Sequence, residues 1–218
     1  MAKFQYLSYF LDDKTPIYGG DSGIDIIKLN DISKGDTANT KRISFHNHSG
    51  THIDFPNHFL ENGKFSSNYD ADFWIFKNPY VVRVNPGEDE IILLEKKLIE
   101  TIPKETDFLI LNTGFYKYRG SKKFWNNNPG ISPNLANLLK LRCPKLRVLG
   151  MDTISLTSYQ NRVLGRESHR KFLGENDILL VEDMNLKNLN SQPLELMCFP
   201  ILIKEVDGCP VTIIAKYD

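Results

Sequence analysis

The sequence predicts a mixed α/β protein with more strand than helix. Compact apolar runs rich in Val, Ile and Leu recur between turn formers, as buried strands require, whereas only two segments carry apolar residues at clear helical spacing. At 218 residues the chain can bury a substantial core, and ordinary domain sizes lead us to expect one domain over residues 1–218.

Taken in order, FQYLSYFL (residues 4–11), IDIIKL (24–29) and RISFHNH (42–48) are expected as strands, with a turn-rich stretch from Thr15 to Gly23 between the first two. PYVVRV (79–84) and DFLILN (107–112) read as strands inside a sheet. Between them, Ile91 to Ile102 is expected as a helix closed by Pro103. Residues 118–130 read as a long polar loop. Ser132-Pro133 then forms a helix start, N-cap followed by proline, for an amphipathic helix ending before Pro144. LRVLGM (146–151), ILLV (178–181), Ile201 to Val206 and Val211 to Ala215 complete the strands, with Asp207-Gly208 as a hairpin turn.

Charge narrows the classes of partner. Lys plus Arg (27) balances Asp plus Glu (27), so nothing favours nucleic acid or an anionic membrane, and the basic run from Lys140 to Arg147 reads as a solvated helix end. The opening residues lack the apolar core of a signal peptide or membrane span, which makes a cytoplasmic location the expectation. Cys143, Cys198 and Cys209 have no CxxC spacing and read as packed side chains.

The chemical signal is histidine. Of five in the chain, His46, His48, His52 and His58 fall within thirteen residues beside Asp54. Imidazole and carboxylate together suit zinc, manganese or iron(II), and Gly50 lets the backbone turn between ligands. His58, beyond Pro56, need not be a ligand and can serve as the acid or base, since an imidazole moves protons at neutral pH. His46 is either a neighbour that orients His48 or Asp54, or a plain strand residue. Farther along, His169 opens a helix-like segment leading to a buried strand that ends in Glu182; a carboxylate there needs a partner, which makes Glu182 a candidate metal ligand.

The run from His48 to His58 matches HxGTHxDxPxH without a break, and with TPIYGGD, LILNTGF, GMDTISL, EDMNL and FPILIKEVDGCPV it resembles the cyclase family of metal-dependent hydrolases, whose members include bacterial kynurenine formamidases. The resemblance implies a swivelling β/β/α fold, a twisted mixed sheet and a barrel-like sheet flanked by helices. It implies a first metal on His48, His52 and Asp54, a second sharing Asp54 and adding His169 and Glu182, and His58 as proton donor and acceptor. Tyr18 takes the position of an aromatic residue that holds an aryl substrate in the formamidases, where the family has Trp.

The expected activity is therefore hydrolysis of a small-molecule amide by metal-activated water, most like conversion of N-formylkynurenine to kynurenine and formate. The alternatives are a cyclase or hydrolase acting on another cyclic amide or lactone, and a non-catalytic metal- or ligand-binding protein. Two divalent ions per chain are expected, zinc first and manganese next, and a homodimer or homotetramer by analogy with other small α/β enzymes.

Overall fold

The computed structural model describes residues 2–20 and 23–218; Asp21, the end of the TPIYGGD stretch, lies outside them. In chain order the elements are β1 (Lys3–Tyr6), β2 (Ile24–Asn30), β3 (Thr40–Phe45), β4 (His52–Asp54), β5 (Ile75–Phe76), β6 (Pro79–Arg83), β7 (Ile91–Ile92), α1 (Lys96–Thr101), β8 (Phe108–Asn112), α2 (Lys122–Asn126), β9 (Gly130–Ile131), α3 (Asn134–Arg142), β10 (Val148–Met151), α4 (Arg162–His169), β11 (Leu179–Glu182), β12 (Glu195–Pro200) and β13 (Gly208–Tyr217). The architecture is mixed α/β, as expected, with a nearly closed, barrel-like mixed sheet and few helices.

Strands β6, β8, β10 and β11 pair in parallel. Every residue of β8, β10 and β11 is buried, which is why they read as unbroken apolar runs. Next to β11 the sheet turns antiparallel. The short β4 lies between β11 and the N-terminal end of β13, with His52 opposite Glu182 on one side and Asp54 opposite Gly208 on the other. β13 then runs on to pair with β12 and β1, carrying the sheet round. The motif thus sits at the seam between the parallel and antiparallel parts. β2 and β3 form a separate two-stranded sheet with Ile27, Leu29 and Ile43 exposed.

Four local expectations need correction. The helix expected over 91–102 is confined to α1; Ile91 and Ile92 pair in parallel with Gly130 and Ile131, and adjacent β-branched residues suit that role better than a helix start. The loop expected over 118–130 contains α2, whose Phe124 is fully buried beside Phe115 and Ile154. The strand expected over 201–206 is a connection in which Ile201, Leu202 and Ile203 are exposed; the strand is β12, just before it, with burial alternating along ELMCFP. The turn of that connection falls at Lys204-Glu205, Glu205 having φ 58°, so Asp207 leads directly into β13, which begins at Gly208, and Asp207-Gly208 is not a hairpin turn.

The end of β11 is fixed by a buried ion pair. Asp183, with φ 50°, accepts from Arg119 Nε at 2.8 Å and Nη2 at 2.8 Å, and its carbonyl accepts from the Thr51 hydroxyl at 2.6 Å. Burial raises the Asp183 carboxyl's pKa, and the guanidinium opposes that rise. Arg119→Ala leaves the carboxylate without its partner and should cost about 3–5 kcal/mol. The urea midpoint of the variant is the measurement, and an unchanged midpoint would show that the pair is dispensable.

Candidate metal and acid–base site

Local backbone rules bring the motif residues together. Gly50, at φ 62°, turns the chain between His48 and β4 and packs closely on the Leu11 side chain. His52 and Asp54, two apart on β4, share a face, and a single turn over Pro56–His58 returns His58 toward them. Glu182 reaches the same place from β11. His169 closes α4, where the helix continues into a π-helical segment, Arg170–Glu175. His46 is exposed, one residue beyond β3, and does not line the cavity described below.

Each of the two deep histidines has one nitrogen committed to the backbone. His52 Nδ1 lies 2.9 Å from the Gly50 carbonyl and His169 Nδ1 lies 2.8 Å from the Gly165 carbonyl. A carbonyl only accepts, so both Nδ1 atoms carry hydrogen and both Nε2 atoms face inward. There His52 Nε2 is 3.4 Å from Asp54 Oδ1 and from Glu182 Oε2, and His169 Nε2 is 3.6 Å from Asp54 Oδ2 and 3.5 Å from Glu182 Oε1. These separations are long for charge-assisted hydrogen bonds. They match the spacing of about 3.4 Å between donor atoms that share one tetrahedral ion at zinc-like bond lengths. Asp54 Oδ2 is buried and has no hydrogen-bond partner, while Glu182 Oε1 is held by the Leu156 amide at 2.7 Å. The donor set fits a divalent cation.

His48 lies on the outer side of Asp54, with Nδ1 2.8 Å from Asp54 Oδ1 and Nε2 3.0 Å from Asp207 Oδ2. Both neighbours are carboxylates, so without a metal His48 holds two protons. Burial lowers its pKa, but Asp54 and Asp207 outweigh that and raise it to about 9. His169 is likewise raised to about 9 and His52 well above its ordinary value: burial opposes the charge and the Asp54 and Glu182 carboxylates overcome it. Burial also works against ionised Asp54, but His48 and its other histidine partners hold the carboxyl far below the usual carboxylate range. The deep site calls for positive charge, which protons or a metal can supply.

His58 differs. Burial lowers its pKa, so it is largely neutral at pH 7, and Nδ1 lies 2.8 Å from Asp207 Oδ2. Its ring stacks on that of His48 with centroids 4.0 Å apart. Asp207 therefore joins both histidines through one oxygen, and those hydrogen bonds hold its carboxyl far below the ordinary range; Oδ1 accepts from Asn47 Nδ2 at 2.7 Å. Asp207 is the residue that sequence reasoning missed. Gly208, next to it, allows the approach, because a Cβ there would overlap the His48 ring.

A cavity of about 380 Å³ opens over these residues. His48, His52, His58, His169 and Glu182 line its base; Tyr18, Phe59, Arg162 and Arg166 line its walls and mouth. Each sequence-predicted site residue thus lies in or against one pocket, Asp54 beneath it.

Against known families, the model described as "Putative cyclase" matches residues 6–158. The chain belongs to the cyclase family. Among cyclase relatives, an uncharacterized protein of Methanocaldococcus jannaschii is 28% identical, covering 91% of each chain. The kynurenine formamidase of Geobacillus thermodenitrificans is 26% identical, over 94% of this chain and 93% of its own. Of solved structures, isatin hydrolase A from Labrenzia aggregata superposes with a TM-score of 0.83 at 21% identity, covering 99% of this chain and 93% of its own.

Proposed function

We propose that this cyclase-family chain, one domain over residues 1–218, is a metal-dependent hydrolase that cleaves a small-molecule C–N amide bond, most like an arylformamidase converting N-formylkynurenine to kynurenine and formate. The observation that carries the reading is the gap among His52, Asp54, His169 and Glu182, with an orphaned carboxylate oxygen turned into it and neutral His58 beside it. The likeness to kynurenine formamidases supports it.

As the family resemblance implies, His48, His52 and Asp54 would hold one divalent ion, and Asp54, His169 and Glu182 a second, zinc first and manganese next; the donor atoms that lie within 4.8 Å of one another are those of His52, Asp54 and Glu182, and those of His48, Asp54 and His58. When bound, such an ion supplies Lewis acidity toward the carbonyl and lowers the pKa of water. His58 donates its Nδ1 hydrogen to Asp207, which leaves Nε2 as the acceptor of the attacking water's proton. The same nitrogen then passes that proton to the leaving amine. Tyr18 offers a ring face to the aryl group, and Phe59, stacked on His169 with centroids 4.2 Å apart, limits water at the base.

Ring opening of a cyclic amide or lactone would use the same groups, and the likeness to isatin hydrolases favours it as the second reading. Self-association as a homodimer or homotetramer is part of the proposal, supported by the exposed apolar residues of β2 and β3. So is a cytoplasmic location; no helix among the described residues is long and apolar enough to cross a membrane.

The first test is metal content by elemental analysis of wild type and Glu182→Ala, followed by assays with N-formylkynurenine and a cyclic amide. About two ions in wild type and fewer in the variant are expected. A wild type that takes up no stoichiometric zinc or manganese would reduce the protein to a non-catalytic role.

A further inference from the structure

Two guanidinium groups at the cavity mouth take no part in the chemistry above. Arg162 and Arg166 are exposed, line the cavity, and lie at i and i+4 of α4, with His169 three residues farther on. All three share one face of the helix, and the rise per residue sets the arginines about 4.5 and 10.5 Å along the axis from His169. Gly165 presses that face onto the site, since a Cβ there would overlap Thr157.

Neither arginine forms an ion pair with a carboxylate among the described residues, although the chain as a whole carries no net charge. Helix stability does not explain Arg162, which stands in the first turn, where the helix dipole disfavours a cation. The Tyr159 ring holds it in place. Its guanidinium lies 4.0 Å over that ring, and the Tyr18 ring stands 5.4 Å from Tyr159 between centroids. A guanidinium stacked in this way keeps edge donors free for a planar oxyanion.

We infer that Arg162 and Arg166 form an anion-binding rim that selects amides whose far end carries a carboxylate. This rests on the hydrolase reading and deepens it by naming the substrate class: an aryl amide with its scissile bond at the base of the cavity and an anionic group at the mouth. A neutral aryl amide of the same size fits the cavity but leaves both guanidinium groups without a partner.

The test uses metal-loaded wild type and the double variant Arg162→Gln/Arg166→Gln. Calorimetry with 4-aminobenzoate and its neutral counterpart 4-aminobenzamide gives binding, and 4-formamidobenzoate and 4-formamidobenzamide give kinetics. Wild type should prefer the carboxylate in both pairs, and the double variant should lose about 10–100-fold in affinity and KM for the carboxylates alone, with kcat and the neutral compounds unchanged. A carboxylate preference that survives in the double variant, no preference in wild type, or an equal loss for both members of each pair overturns the rim. If wild type hydrolyses neither formamide, the hydrolase reading fails separately, and the binding preference still decides the rim.

Discussion

Protein stripped of divalent ions by a chelator will have no hydrolytic turnover and will lose stability as pH rises from about 6.5 to 9, a trend that the metal-loaded protein will lack. The sign follows from His48 and His169, whose pKa values are raised to about 9 from an ordinary 6.5. A raised imidazole contributes stability that is fully present below its unfolded value and is lost as pH climbs through its folded value. In the metal-free chain those protons balance Asp54, Glu182 and Asp207; deprotonation leaves carboxylates facing nitrogen lone pairs in a buried site. A metal binds the neutral imidazoles and takes over the balancing charge, so the dependence over that window disappears. Metal at a thousand times its dissociation constant should add about 4.1 kcal/mol. Asp54→Ala, which removes the carboxylate touching His48, His52 and His169, should abolish both the metal response and turnover. Thermal melts at several pH values, with and without chelator, are the check. Parallel curves for the two preparations would sink the metal site.

Why so much of this was legible, and why some was not, follows from where each contact lies along the chain. β8, β10 and β11 are buried on both faces, so their apolar runs could be read directly. The candidate ligands His48, His52 and Asp54 were legible because they and His58 are packed into eleven residues, and the glycine and proline that shape the loop stand among them. Two elements misled for opposite reasons. Ile201 to Ile203 is apolar, with two β-branched residues, but exposed, whereas β12 mixes Glu, Met and Cys and hides its alternation unless each position's burial is known. Ile91 and Ile92 belong to a helical pattern in sequence, yet their partners are Gly130 and Ile131, about forty residues away. Asp207 was hidden by its context. Asp-Gly is a generic turn signal, and the residues that give Asp207 meaning, His48 and His58, lie 159 and 149 positions earlier. No periodicity can report such a contact.

The second large effect is expected at that contact. His58→Ala should lower kcat by about 10²–10⁴ while the bound metal stays constant, because a positioned proton carrier contributes about that much. Asp207→Asn should act on the same step less severely, lowering turnover about 10–100-fold with metal retained. An asparagine oxygen can still accept from one histidine, but it cannot bear the charge that His48 and His58 both donate to. The two variants separate two readings of His58. Its ligand atom, with those of His48 and Asp54, falls within a cluster whose members lie no more than 4.8 Å apart, so coordination is geometrically open to it. If His58→Ala loses metal in proportion to activity, His58 is a ligand and the proton must pass through another group. If metal stays, and the double variant His58→Ala/Asp207→Asn is no slower than His58→Ala alone, Asp207 acts through His58. That non-additivity is expected of a hydrogen-bonded pair in which one side chain fixes the tautomer of the other.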